Sequence, residues 1–288
     1  MATNRAALAV SIALVLLGSV SAGFYDDYKI IWGAQNVVPN DATREVKLIM
    51  TENIGASFAT KDPYLYGAFS VKYKLVSGNS AGTVTAFYLH SDDTMQDEID
   101  FEFLGNSTGE PYLMHTNLFA NGKGGRESQF FLWFDPTADF HNYTIVWNQK
   151  QVIWLVDDVP VRVHRNIHPS VYPRTKPMYV HGTLFEASSW ATRGGAVPID
   201  WTEAPFQVNY KDFNYQSCKV NNRNTIPCRQ NVKSNPWEQP EFQELSTYQK
   251  QQLRNVRAKY MTYDYCSDRV RYPTAPMECS ANAMAWAL

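Results

Sequence analysis

Three carboxylates, each two residues from the next, are the groups in this chain best spaced to do chemistry together. In Asp97-Glu98-Ile99-Asp100-Phe101-Glu102-Phe103-Leu104-Gly105, acidic and apolar residues alternate. On a β-strand, alternate side chains share a face. Ile99, Phe101 and Phe103 then point into a core, and Glu98, Asp100 and Glu102 point together to the other side. Like charges side by side on a sheet repel. Crowded anions disfavour each other's ionisation, so at least one carboxyl pKa rises. A proton held among carboxylates suits glycoside hydrolysis, where one acid protonates the leaving oxygen and one carboxylate attacks or activates water. Four residues of flat strand span about 13 Å. A retaining pair needs carboxyls about 5–5.5 Å apart and an inverting pair about 6.5–9.5 Å. The side chains must therefore lean together, and a concave sheet would help. A solvated charged face is one rival reading. A calcium site is another, and it would need about six to eight oxygens, most of which the sequence does not identify.

Strands must position this triplet, and the chain is rich in them. Phe69, Val71, Tyr73 and Leu75 alternate with Ser70, Lys72 and Lys74, a strand with one buried face. Further strand-like runs cover 83–89, 98–104, 129–134, 143–148, 151–156, 160–164, 177–185 and 205–213. Gly78-Asn79, Asn121-Gly122, Gly124-Gly125 and Asp157-Asp158 punctuate them as turns. Many strands without alternating helices predict an all-β, two-sheet antiparallel sandwich. One helix is expected late, with Leu245, Tyr248, Leu253, Val256 and Tyr260 on its buried face and a Ser246/Gln249 capping box at its start. The expected organisation is a signal peptide at 1–22, a catalytic β-domain at 23–213 and a C-terminal extension at 214–288.

Composition narrows the function classes. The 288 residues are 44% hydrophobic, 14% aromatic and 19% charged, with a formal charge of −2. So much apolar area excludes general disorder, and the absent basic surplus disfavours nucleic-acid binding. Arg5, the apolar run Ala6 to Gly18 and the small residues Val20-Ser21-Ala22 make a secretory leader. After its removal no membrane association is expected. Cys218, Cys228, Cys266 and Cys279, an even set in a secreted chain, read as two disulfides with three possible pairings. Their spacings are too wide for two paired-cysteine zinc knuckles, and no metal is expected. Asn106-Ser107-Thr108 and Asn142-Tyr143-Thr144 are glycosylation sequons. The second falls in an apolar strand pattern and is expected to be buried, so only Asn106 is expected to carry a glycan.

The carboxylate segment, continued through Asn106, resembles the active-site signature of the plant xyloglucan endotransglucosylase/hydrolases, within glycoside hydrolase family 16. The resemblance extends through Gly78-Asn79-Ser80-Ala81-Gly82-Thr83-Val84-Thr85-Ala86-Phe87-Tyr88-Leu89, Leu132-Trp133-Phe134-Asp135-Pro136-Thr137, Val156-Asp157-Asp158-Val159-Pro160-Val161-Arg162, Trp190-Ala191-Thr192-Arg193-Gly194-Gly195 and Tyr260 to Cys266. It implies a curved β-jelly-roll and a retaining double displacement. Glu98 would be the nucleophile, Glu102 the general acid/base, and Asp100 the residue orienting the nucleophile. It also implies sequential disulfides, Cys218–Cys228 and Cys266–Cys279, and glycosylation of Asn106. Gln96 stands where the family has His, Ser188-Ser189 where an acidic pair is frequent, and Phe185-Glu186 where Trp-Asn is common. These departures bear on substrate preference.

A polysaccharide groove needs flat aromatic faces and polar groups for hydroxyls. Trp190, in a loop with Gly194 and Gly195, reads as a platform, and Tyr88 as a second. By resemblance, His115, Thr116, Asn117, Gly125, Arg126, Glu127 and Arg271 match positions lining the family's sugar site. A transferase must hold an acceptor in place against abundant water. The stretch Asn117 to Arg126 is short, which resembles the transferase branch rather than the hydrolases. The expected activity is transfer between xyloglucan donors and xyloglucan or oligosaccharide acceptors in the plant cell wall, with no cofactor. The rivals are a xyloglucan or mixed-linkage glucan hydrolase, a catalytically silent lectin and a structural wall protein.

Overall fold

A computed structural model describes residues 23–230 and 234–287, and the expected leader 1–22 lies outside the described residues. Fifteen strands dominate: β1 (Tyr28–Trp32), β2 (Val37–Asn40), β3 (Glu45–Met50), β4 (Ala56–Thr60), β5 (Tyr64–Lys74), β6 (Thr83–His90), β7 (Glu98–Leu104), β8 (Leu113–Phe119), β9 (Ser128–Phe131), β10 (His141–Trp147), β11 (Gln151–Val156), β12 (Val159–Arg165), β13 (Tyr179–Glu186), β14 (Phe206–Lys219) and β15 (Met261–Asp264). They form two sheets, ordered β1-β4-β13-β6-β7-β8-β9-β15 and β12-β11-β10-β5-β14-β3-β2. The pairings are antiparallel, and the sandwich has the jelly-roll character expected. Among the described residues no helix is long and apolar enough to cross a membrane.

The core lies between the sheets, and alternation builds it. Ile99, Phe101 and Phe103 on β7 face Tyr73 of β5 and Tyr143 of β10 across the layer, all without solvent exposure. Tyr73 and Tyr143 stack at 4.1 Å, and Phe103 meets Tyr143 edge-on at 4.9 Å. Each such ring, fully buried, contributes about 1.5–3 kcal/mol, so the register of β7 is firmly set. A slip of one residue would drive its carboxylates into this aromatic layer.

Several elements exceed the expected runs. β1 to β4, β8 and β15 lie outside those runs, although β3 alternates regularly between buried and half-buried residues. β14 extends to Lys219, through the expected 213/214 division. A register shift between Lys211 and Asn214, with Asp212 at φ 52°, marks a bulge there. The bulge interrupts the alternation that sequence reading follows.

The late helix spans Thr247–Tyr260, and Ser246 and Gln249 cap it reciprocally at 3.2 and 3.0 Å. Leu245, Leu253 and Val256 are buried, but Tyr248 is 73% exposed. At about 100° per residue, Tyr248 lies roughly 140° around the helix from Leu253, so it faces solvent. The extension touches both sheets on one side. Its strand β15 pairs with β9, and its helix packs on β12. Cys218–Cys228 and Cys266–Cys279 are bonded, the sequential pairing.

Candidate active site

The outward face of the first sheet carries the triplet. Asp100 lies opposite Tyr88 on β6 and Asn117 on β8, Glu102 opposite Ala86 and His115, and Glu98 opposite His90 and Phe119. His181 on β13 lies opposite Tyr88. Trp32, Thr183 and Phe185 complete the walls of a cleft of about 220 Å³ around the three carboxylates. His90 Nε2 stands 3.6 Å from Glu98 Oε2, and His181 stacks on Tyr88 at 4.8 Å.

The second sheet supports this face from behind. The Trp154 indole on β11 donates to the Asp100 carbonyl at 2.9 Å. Arg162 on β12, fully buried, donates to the Thr116 carbonyl at 2.8 Å and hydroxyl at 3.0 Å, and to the Arg126 carbonyl at 2.5 Å. Its guanidinium stacks on Trp154 at 4.6 Å.

Burial governs the protonation of the triplet. Burial, then the fields of Glu98 and Glu102, push the Asp100 carboxyl well above its usual range. Asp100 is therefore the proton donor in the hydrogen bond it shares with Glu98. Burial raises Glu98 to about 7, and that bond opposes the rise. Glu102 is raised to about 7 by burial first, then by Glu98 and Glu127. Burial, followed by the three carboxylates, raises the Tyr88 phenol. The histidines move the other way: burial lowers His115 to about 4 and His181 to about 3, and lowers His90. One strand thus presents a carboxyl pair bridged by a proton, and a separate carboxyl that holds its own proton below neutral pH.

The profile for glycosyl hydrolases family 16 matches residues 24–203, and that for the xyloglucan endo-transglycosylase C-terminus matches 231–279. The chain is 44% identical over 278 residues to a probable xyloglucan endotransglucosylase/hydrolase protein 6 of Arabidopsis thaliana, covering 94% of this chain and 93% of that one. It belongs to the xyloglucan endotransglucosylase/hydrolase family. Xyloglucan endotransglucosylase protein 6 of Diospyros kaki is 43% identical over 288 residues, covering 97% of this chain and 96% of its own. Among solved structures, a prokaryotic β-1,3-1,4-glucanase from a mouse hindgut metagenome has a TM-score of 0.53 at 25% identity, covering 66% of this chain and 86% of that one. A Crh5 transglycosylase has a TM-score of 0.54 at 23% identity, covering 67% and 82%. Both share the family fold.

The residues expected to line a family sugar site divide into three groups. Tyr88, His115, Asn117 and Glu127 have the parity of the cleft face. Trp190, 37% exposed, stands 6.5 Å from His115, ring edge to ring face. Its loop is pinned beside the triplet, since Thr192 Oγ1 donates to the Gly105 carbonyl at 2.8 Å, just past β7. Arg271 reaches the same end from the extension, pairing with Glu127.

Thr116 and Arg126 correct the expectation. Thr116 has the opposite parity, is fully buried and bonds Ser128 and Arg162. The Arg126 side chain is buried on Glu278 at 2.8 Å. Both hold the framework instead of facing the cleft. Gly125, at φ 79°, has its carbonyl taken by Tyr272, and an added Cβ there would meet the Tyr272 hydroxyl at 2.6 Å. Gly195, at φ 88°, would clash with the Ser189 carbonyl at 2.5 Å, whereas Gly194 faces open space.

Asn106 follows β7 directly, its amide donating to the Pro111 carbonyl at 3.0 Å. Asn142 is half-buried on the outer face of the second sheet, among Lys72, Asp157 and Asn214. Its expected burial is therefore overturned, because the strand's first residues alternate outward.

Sequence reading missed Trp32 and Thr183 in the cleft, His90 and His181 beside it, and Trp154 and Arg162 beneath it, whereas Phe185 was marked by its departure from the family. The parity of His90 with Tyr88 was a usable signal. Nothing local marked His181 and Thr183, whose place depends on strand order.

Proposed function

We propose that this protein cleaves the β-1,4-glucan backbone of xyloglucan and transfers the glycosyl fragment to a second xyloglucan chain or oligosaccharide. The reading is carried by one observation: three carboxyls gathered on the open face of β7, all lining one cleft. In the first step Glu98, held by the Asp100 proton, attacks the anomeric carbon. Glu102 gives its proton to the departing glycosidic oxygen, and a glycosyl ester on Glu98 results. In the second step Glu102, now a carboxylate, takes the proton of the acceptor hydroxyl. The acceptor oxygen bonds to the anomeric carbon, and the Glu98 ester bond breaks.

Transfer over hydrolysis needs an acceptor held beside Glu102. Trp190, His115 and the Arg271–Glu127 pair gather at that end. The β8–β9 connection, at the Glu98 end of the strand, is tight: Asn121 and Gly122, at φ 52° and 73°, turn between Ala120 and Lys123. That supports the transferase reading. The leader and the family point to secretion and action in the plant cell wall, with a glycan on Asn106 beside the catalytic strand.

The test supplies high-mass xyloglucan and a labelled xyloglucan oligosaccharide, following label incorporation and new reducing ends together. Label entering polymer without matching reducing ends is expected. Reducing ends with little incorporation would instead make the protein a hydrolase. Binding without either activity, unchanged in Glu98→Gln, would make it a lectin.

A further inference from the structure

The C-terminal extension makes one ionic contact with the cleft face. Arg271 lies in the loop closed by Cys266–Cys279, and its guanidinium grips the Glu127 carboxylate with its two terminal nitrogens, Nη1 at 2.7 Å and Nη2 at 3.3 Å. The loop is built to hold it there. Asp268 accepts from the Arg271 backbone at 2.9 Å and from the Tyr263 hydroxyl at 2.9 Å. Tyr272 donates to the Gly125 carbonyl at 2.6 Å, and the Tyr265 backbone donates to the Glu127 carbonyl at 3.0 Å. Both partners of the ion pair are therefore anchored by neighbours in sequence.

Glu127 shares the parity of Gln129 just before β9, and Gln129 lies opposite His115, which lies opposite Glu102. Two strand spacings put Glu127 about 10 Å from the Glu102 strand on the same face. We propose that the Arg271–Glu127 ion pair controls the charge felt by Glu102, making Arg271 a positioning residue through which the extension sets the proton affinity of the acid/base carboxyl. This rests on the catalytic role proposed for Glu102.

The other groups facing Glu102 leave this pair as the adjustable one. Glu98 and Asp100 on its own strand are fixed by the reaction, and Tyr88 stays protonated because burial raises its phenol. His115 is neutral near pH 7 because burial lowers it to about 4. Arg162 lies beneath the sheet with its guanidinium committed to backbone carbonyls. Glu127 is one of the groups that raise Glu102, and Arg271 neutralises it. Without Arg271 the bare carboxylate would hold the Glu102 proton more tightly. Without Glu127 that proton would be lost more easily.

The experiment follows the Glu102 side-chain carboxyl by carbon-13 NMR across pH, with the signal assigned from Glu102→Gln. Wild type, Arg271→Gln, Glu127→Gln, the double variant and Arg271→Lys are compared, beside the pH profile of kcat for transfer. Arg271→Gln is expected to move the Glu102 midpoint up by about half a pH unit, the scale of one charge roughly 10 Å away at intermediate dielectric. Glu127→Gln, which leaves the Arg271 charge uncompensated, should move it down, the double variant should return close to the wild-type value, and Arg271→Lys should stay near wild type. The basic limb of kcat should move with the midpoint. An unmoved midpoint in Arg271→Gln would overturn the proposal, as would a double variant that stays at the value of either single variant instead of returning toward wild type. A wild type with neither transfer nor hydrolysis would sink the functional reading alone, because the titration is read without turnover.

Discussion

Trp154, on the second sheet, donates its indole hydrogen to the backbone carbonyl of Asp100 at 2.9 Å. The middle of the carboxylate strand is thus fixed by a group reaching through the core, while Arg162 stacks on the same indole. Trp154→Phe keeps a ring but leaves the buried carbonyl without its donor, which costs about 1–3 kcal/mol. Chemical denaturation should show that loss. Activity should fall further than unfolding accounts for, because β7 loses its fixed height beneath the substrate. A variant with wild-type kcat in its folded fraction would show that Trp154 serves stability only.

The two glutamates are expected to fail differently. Glu98→Gln removes the proposed nucleophile, so transfer and hydrolysis should both vanish while oligosaccharide binding persists. Glu102→Gln removes the proposed acid/base, whose proton transfer is worth about 10²–10⁴-fold. That loss should shrink for donors carrying an aryl leaving group that departs without protonation. Equal losses on both donors would argue against Glu102 as the acid.

The carboxyls that equip the site also oppose folding. Glu102 titrates near 4.5 when unfolded and about 7 when folded. The folded state therefore holds more protons between those values. Its contribution to stability is complete below about pH 4.5, falls as pH rises and is lost above about 7. Asp100, raised well above its usual range, adds to the same slope. Glu102→Gln and Asp100→Asn should therefore melt higher than wild type at pH 7 and lose the advantage near pH 4. Thermal unfolding at the two pH values checks this. A wild type as stable at pH 7 as at pH 5 would mean that the carboxyls are well solvated.

Alternation made β7 readable, since Ile99, Phe101 and Phe103 announce a buried face and the acidic residues an open one. The same period marked β5, while β6, β10 and β11 stood out as strand-like runs. It missed β4, whose five residues are all buried, and β1, whose pattern is broken by a register shift. Parity within one strand is local information. Which strand lies beside another is not, so His181 and Thr183 came beside the triplet unannounced. Thr116 and Arg126 failed for a related reason. They sit next to residues that do face the cleft, but sequence proximity on a strand alternates faces and cannot assign both neighbours to one ligand.

Arg126 and Glu278 give the sharpest contrast between lining a groove and holding it. Their ion pair is buried at 2.8 Å, and the Tyr265 hydroxyl also donates to Glu278 at 3.2 Å. Arg126 further donates to the carbonyls of Lys123 at 2.5 Å and Leu118 at 3.4 Å, so the turn between β8 and β9 is tied to the short C-terminal helix Glu278–Ala283. Removing one partner strands a buried charge, which costs about 3–5 kcal/mol. Glu278→Ala should therefore lower the denaturation midpoint strongly, although Glu278 touches no part of the cleft. Arg126→Ala should do the same, and its folded fraction should bind oligosaccharide with nearly wild-type affinity. A variant of Arg126 that melts normally but loses oligosaccharide affinity would return this residue to the sugar site.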